Sequence, residues 1–240
     1  KLIDISVVST TNRLKTINAH KFDLDASSIA IMSAQLSRDD LETGFIFKQE
    51  SAVSWIIPAN LIEYDEASSL DIINQIALTS GDSVISHAHK KEISIRSKYQ
   101  SGDAVYRLPI GKLLSYSADE SESTKYNAIV VTAENNGITA TVRKDGTAGD
   151  KIAPMLVNKL ISDQSIARRA AINAIYNTDD KKVSISTESI LFKETPMIYP
   201  RDVVSIGSDI GFVEDIRISA EISNNAAVIR HAMTIEKKML

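Results

Sequence analysis

The sequence predicts a β-rich α+β fold, with a β-α-β-β unit, one further helix and a C-terminal meander suited to a small antiparallel barrel or sandwich. Three observations carry this. Short stretches alternate apolar and polar residues along much of the chain, the pattern of half-buried strands. Two stretches instead repeat apolar residues at three and four, as helices do. The last 60 residues read as a run of about four strands, suited to a small antiparallel barrel or sandwich.

Taken in order, Leu2 to Val8 alternates cleanly and reads as a strand. Phe22 to Leu36 alternates loosely through Phe22, Leu24, Ile29, Ile31 and Leu36, and reads as one or two more. Arg38-Asp39-Asp40 is a charged turn, Gly44 to Phe47 a short strand, and Val53 to Ile57, with the single tryptophan Trp55, another ending at Pro58. Asn60 to Tyr99 forms the clearest local unit. Leu70, Ile73, Ile76 and Ala77 share a helical face, with Ser68 or Ser69 as cap, Asp71 in the first turn and Gly81 at the C′ position. Strands Ser83 to Ser86 and Glu92 to Arg96 follow around a turn at His89-Lys90-Lys91, giving strand, helix and hairpin. Gln100 to Gly111 reads as a polar connection, and the acidic, serine-rich Ser115 to Lys125 as an exposed loop or domain junction.

Ala128 to Ala133 and Ile138 to Val142 are strands separated by Asn136-Gly137, the signal of a type I′ hairpin. The glycine loop Arg143 to Asp150 comes next. A helix capped by Ser162 or Asp163 then runs to about Tyr176, with Ile166, Ala170, Ile172 and Ile175 buried and Arg168 and Arg169 outward. From Lys181 the pattern is β, with turns at Ile198 to Asp202, Gly207 to Gly211 and Asn224-Asn225. These breaks suggest three parts: 1–58, 59–115 and 116–240.

Composition narrows the function. A net charge of −4 argues against a general nucleic-acid binder, which needs clustered basic residues. Without cysteine there is no disulfide, thiolate metal site or thiol nucleophile. No apolar run approaches the roughly 18 residues of a membrane span. No signal-peptide pattern opens the chain, and its start at Lys1 rather than Met fits a trimmed N-terminus.

Candidate chemistry is sparse. His87 and His89 share a strand face and could be half of a metal site, but lack a third ligand; exposed hairpin histidines are the favoured reading. His20 and His231 stand alone. Lys144 to Gly149 could cradle phosphate through its backbone, but no Gly-Lys-Ser/Thr follows and Pro154 intervenes, so a tight connection is favoured. The carboxylate pairs Asp39-Asp40, Asp179-Asp180 and Glu120/Glu122 lie in polar turns. Ser9, Ser54 and Ser80 sit in no nucleophile elbow. No catalytic, cofactor-binding or metal-binding residue is assigned, and an enzyme is not expected.

Two stretches carry a resemblance. One joins Trp55-Ile56-Ile57-Pro58, Ile62-Glu63-Tyr64, the helix, Gly81 and Ile93 to Tyr99; the other runs from Asn136-Gly137 through Arg143-Lys144-Asp145-Gly146-Thr147-Ala148-Gly149-Asp150, Ala153-Pro154-Met155, Leu160 to Asp163 and Ala167-Arg168 to Ile198-Tyr199-Pro200. Together they resemble tail hub proteins of tailed bacteriophages and prophages, over Val53 to Met239. One departure is that family members tend to have Pro-Gly where this chain has Pro200-Arg201-Asp202. The resemblance implies a structural virion protein with hub-type barrels, commonly a homotrimer at the tail tip or baseplate. Its implied partners are the tail tube protein, a spike or tip protein and the tape-measure protein, with assembly in the host cytoplasm and a channel for DNA passage. Neither sequence-specific nucleic-acid binding nor a cofactor is implied. The rival readings are a receptor- or carbohydrate-binding tip module, weakened by 5% aromatic content, and a tail-associated hydrolase, for which no site can be assembled.

Overall fold

The computed structural model describes residues 14–15, 19–37, 44–48, 53–87, 91–97, 104, 106–122, 126–176, 181–191, 198–223 and 226–237. The expected strand at Leu2 to Val8 and the turn at Arg38 to Asp40 lie outside them. In chain order the strands are β1 (Ala26–Ser27), β2 (Ile46–Lys48), β3 (Ile56–Ile57), β4 (Asp82–His87), β5 (Glu92–Ser97), β6 (Tyr106–Leu108), β7 (Leu113–Glu122), β8 (Ala128–Ala133), β9 (Thr139–Arg143), β10 (Leu156–Asn158), β11 (Lys181–Ile190), β12 (Val203–Ile206), β13 (Asp209–Ser223) and β14 (Ala226–Lys237). The helices are α1 (Ser28–Leu36), α2 (Ser69–Thr79) and α3 (Gln164–Tyr176). The β-rich α+β class expected from the sequence is the one observed.

Packing draws two units: Val8–Lys98 with Thr124–Asp179, hereafter the helical unit, and Lys1–Val7, Tyr99–Ser123 with Asp180–Leu240, the sheet unit. This is not the three-part division read from the breaks. Trp55, Ile73, Ile95, Val131 and Ile166, drawn from all three expected parts, lie in one apolar cluster.

In the helical unit, the segment read as strand at Phe22 to Leu36 is mostly helix α1. Ser27 caps it, its side chain accepting from the Ala30 amide at 3.1 Å. Ser28, Ile31, Met32, Gln35 and Leu36 are buried at helical spacing. Two of these are polar, which blurs the apolar stripe in the sequence. Gln35 is satisfied by both backbone groups of His20, each at 2.8 Å. Helix α2 matches its expectation closely. Ser68 and Asp71 form a reciprocal capping box, and Gly81 takes φ +74° just beyond the C-cap Ser80. A Cβ on Gly81 would meet Asn173 Cβ at 2.6 Å, so two constraints fix that glycine.

Strands β4 and β5 form the expected hairpin, but its third strand is β2, parallel to β5, whereas Ile56 and Ile57 pair with β1. The hairpin β8–β9 is also as expected, with a different turn. The Ala133 amide bonds to the Ile138 carbonyl at 2.8 Å, so Glu134 to Gly137 form a four-residue loop. Only Gly137 has positive φ there; a type I′ turn would need it at Asn136 too. Asn136 is used otherwise: its amide donates to the Ile161 carbonyl at 2.9 Å and its oxygen accepts from the Ile138 amide at 3.1 Å. After the glycine loop, β10 returns parallel to β8. Asp163 caps α3, accepting from the Ser165 amide at 2.7 Å, and α3 packs on β8 and β9.

The sheet unit holds one six-stranded sheet in the order β6-β12-β13-β14-β11-β7, curled as a half-barrel, with β6 and β7 as its edges among the described residues. Only the β6–β12 pairing is parallel. Two segments read as connections are strands here: Tyr106–Leu108 and the acidic stretch in Leu113–Glu122. Their β character comes from distant partners, β12 and β11, and not from local pattern. Leu108, Ile185, Ile198, Val204, Ile206, Val213, Met233 and Ile235 make the core. The turn at Ile198 to Asp202 is present. The Asp202 amide bonds to the Tyr199 carbonyl at 3.0 Å, the Asp202 carboxylate accepts from the Tyr199 amide at 2.8 Å, and Arg201 takes φ +73°.

Candidate functional site

Each residue considered for chemistry has a structural explanation where the structure describes it. His87 is buried, not exposed as expected, and its Nε2 lies 3.0 Å from Ser94 Oγ on the neighbouring strand. His89 lies outside the described residues, as do Ser9, Asp39-Asp40 and Asp179-Asp180. Among the described residues no group of three His, Cys, Asp or Glu could hold a metal. His20 stacks edge-on against Phe22, with ring centres 5.1 Å apart. His231 is buried, and desolvation pushes its pKa down. Ser54 is exposed, and the Ser80 hydroxyl is buried, bonding to the Ala77 carbonyl and Asp82. Glu120 is exposed on β7.

The glycine loop is an architectural joint. Asn127 holds both of its ends: its carbonyl accepts from the Lys144 amide (2.9 Å), its side chain donates to Asp150 (2.8 Å) and accepts from the Lys151 amide (2.8 Å), and its own amide donates to the Lys151 carbonyl (2.8 Å). Between these ties Gly146 and Gly149 take φ +72° and +73°. The Thr147 amide and hydroxyl turn back onto the Lys144 carbonyl, so they do not form an anion cradle.

Arg169 departs from the sequence reading. It does not point outward but pairs with Asp82, its Nε and Nη2 lying 3.0–3.2 Å from the carboxylate, whose side chain is 1% exposed. Ser80 donates to the same carboxylate at 2.7 Å and Asn173 at 3.3 Å; Asn173 also donates to the Ser80 carbonyl at 2.7 Å. This satisfied cluster pins the C-terminal end of α2 to α3. A buried ion pair can mark catalysis, but here every group is consumed by its neighbours. Sequence reasoning missed it because Asp82 and Arg169 are 87 residues apart.

Two surfaces remain open. The first is a groove of about 760 Å³ in the helical unit, lined by β9 on one side and by Gln164, Arg168, Ile172 and Ile175 of α3 on the other. The second is in the sheet unit. Residues 114–121 of β7 are exposed on both faces, as are most of residues 214–221 of β13. Leu114, Tyr116, Ile218, Val228 and Ile229 are among its exposed apolar side chains. A strand exposed on two faces and, among the described residues, on one edge has the features of an association surface. Tyr116 is the one aromatic among the exposed large apolar side chains described, so no aromatic platform for sugar binding forms there. Among the described residues no helix is long and apolar enough to cross a membrane.

No protein-family model and no curated protein matches the sequence. Solved structures do match the fold. The tail protein from Neisseria meningitidis MC58 superposes with a TM-score of 0.65 at 9% identity, covering 94% of this chain and 71% of its own. The 43 kDa tail protein of prophage MuSo2 from Shewanella oneidensis gives 0.60 at 10% identity, over 95% and 71%. The chain has the fold of these tail proteins.

Proposed function

We propose that the chain is a structural protein of a phage or prophage tail, acting as the central hub at the tail tip or baseplate. The observation that carries this reading is the half-barrel, whose edge strands β6 and β7 have no outer neighbour, and whose β7 and β13 are exposed on both faces, among the described residues. In a ring, a neighbouring copy would supply that cover, and a rotation that closes limits the number of copies. Three copies would frame a channel between the tail tube above and a spike or tip below. DNA would pass without being held, since a strongly basic lumen would retain phosphate, and the chain carries a net charge of −4. The fold likeness to two tail proteins supports the tail assignment. In this role the protein supplies geometry and performs no chemistry.

Sedimentation of the purified chain, alone and with tube and tip proteins, tests the reading. A trimer, or one formed on mixing, is expected. A chain that stays monomeric with all tail components present overturns it.

A further inference from the structure

The groove beside β9 has the features of a strand-docking site. β9 is an edge strand in the order β10-β8-β9. Its ladder with β8 is bracketed by bonds at Ile138 and Lys144, so antiparallel alternation turns the amides and carbonyls of Thr139, Thr141 and Arg143 away from β8. Gln164 of α3 donates to the Thr139 carbonyl at 2.9 Å, which places the helix along that free edge. The five residues of β9 span about 17 Å. The stripe from Gln164 to Ile175 spans about 16 Å beside it. Arg143, Lys144 and Arg168 line the groove against one carboxylate, Asp145. Arg143 and Arg168 are exposed and have no ion-pair partner among the described residues.

One segment of the chain is complementary. β7 is one edge of the six-stranded sheet among the described residues, its residues 114–121 are exposed, and Ser115 to Glu122 contains three acids and no base. We propose that the β9–α3 groove receives β7 of a second copy as an added strand, with Asp119 and Glu120 set against Arg143 and Arg168. The occupant adds main-chain bonds to Thr141, Arg143 and the Thr139 amide, and the charges fix its register. DNA fits less well: three cations are far fewer than the six to ten phosphate contacts, roughly, behind strong non-specific binding. This deepens the hub reading, since it names one contact of the ring.

The test reverses charge on each side. Arg143→Glu with Arg168→Glu, and separately Asp119→Lys with Glu120→Lys, are each expected to weaken self-association at least tenfold by sedimentation in about 100 mM salt, near the ionic strength where exposed charges still interact over ~10 Å. The quadruple variant is expected to recover it. Circular dichroism confirms that each variant is folded, and hydrogen exchange at residues 139–143 of the wild-type chain is expected to slow on association. Three results overturn the proposal: wild-type association in the groove variant, a quadruple variant as weak as either double, or labelled DNA bound by the wild type and released by the groove variant. If the trimer forms regardless of these charges, the docking proposal falls and the hub reading stands; a wild-type chain that never associates removes both.

Discussion

The helical and sheet units solve the same problem differently. The helical unit covers its small sheets with helices, and its buried cluster reaches through α1, α2, α3 and strands β3, β5, β8 and β9. Its buried charge, Asp82, is met by Arg169, Ser80 and Asn173. The sheet unit has a much smaller core, and its buried Thr187 Oγ1, Ser205 Oγ and His231 Nδ1 lack a hydrogen-bond partner among the described residues, as Ser69 Oγ and Ser86 Oγ do in the helical unit. The lesson is that one unit gathers a broad apolar core under its helices, whereas the other leaves more of its described strand surface exposed, the surface that the proposed association would cover.

The comparison breaks most readily at the helical unit's ion pair. Arg169→Met strands the Asp82 carboxylate, and removing one partner of a buried pair costs about 3–5 kcal/mol. Urea unfolding should show that loss in the helical unit, and a loss below about 1 kcal/mol would mean that water replaces the arginine. Next is the joint: Gly146→Val with Gly149→Val forces two β-branched residues to positive φ, at about 1–3 kcal/mol each. Reduced folding, and with it reduced assembly in the proposed ring, is expected; normally assembling tails from this variant would refute the joint. Third, Ser68→Ala removes one half of the capping box and should lower stability by about 1 kcal/mol.

The smallest effect sharpens the contrast from the sheet side. Burial lowers the pKa of His231 below 6.5, so the unfolded chain takes up the proton first. Stability is therefore full above the unfolded value and declines as pH falls below it, flattening once the folded pKa is passed. Thermal melts from pH 7.5 to 5 should show this decline in the wild type and less of it in His231→Phe. Equal slopes would remove His231 from the account.

Legibility followed the range of the interactions. Helix α2 was readable because its cap, its apolar stripe and Gly81 lie within 14 residues of one another. Helix α1 was not, because Ile29 and Ile31 imitate strand alternation while Ser28 and Gln35 occupy its buried face. β7 lacks a local β signal and is held by β11, so its acids read as a loop. The two walls of the groove were each expected as a strand and a helix. Their alignment depends on α3 lying along β9, which no local pattern encodes. Arg169 was placed outward by habit of composition, and Asp82, its partner, stood unremarked at the edge of a strand.

Arg201 gives the tight turn before β12 an unused reserve of thermal tolerance. A non-glycine side chain in the left-handed region costs about 1–2 kcal/mol, and glycine returns up to about 1 kcal/mol of that as lost chain entropy. Its Nη1 is also buried without a hydrogen-bond partner. Arg201→Gly should thus raise the melting temperature by about 1–4 °C, a case in which deleting a whole side chain makes the molecule hardier.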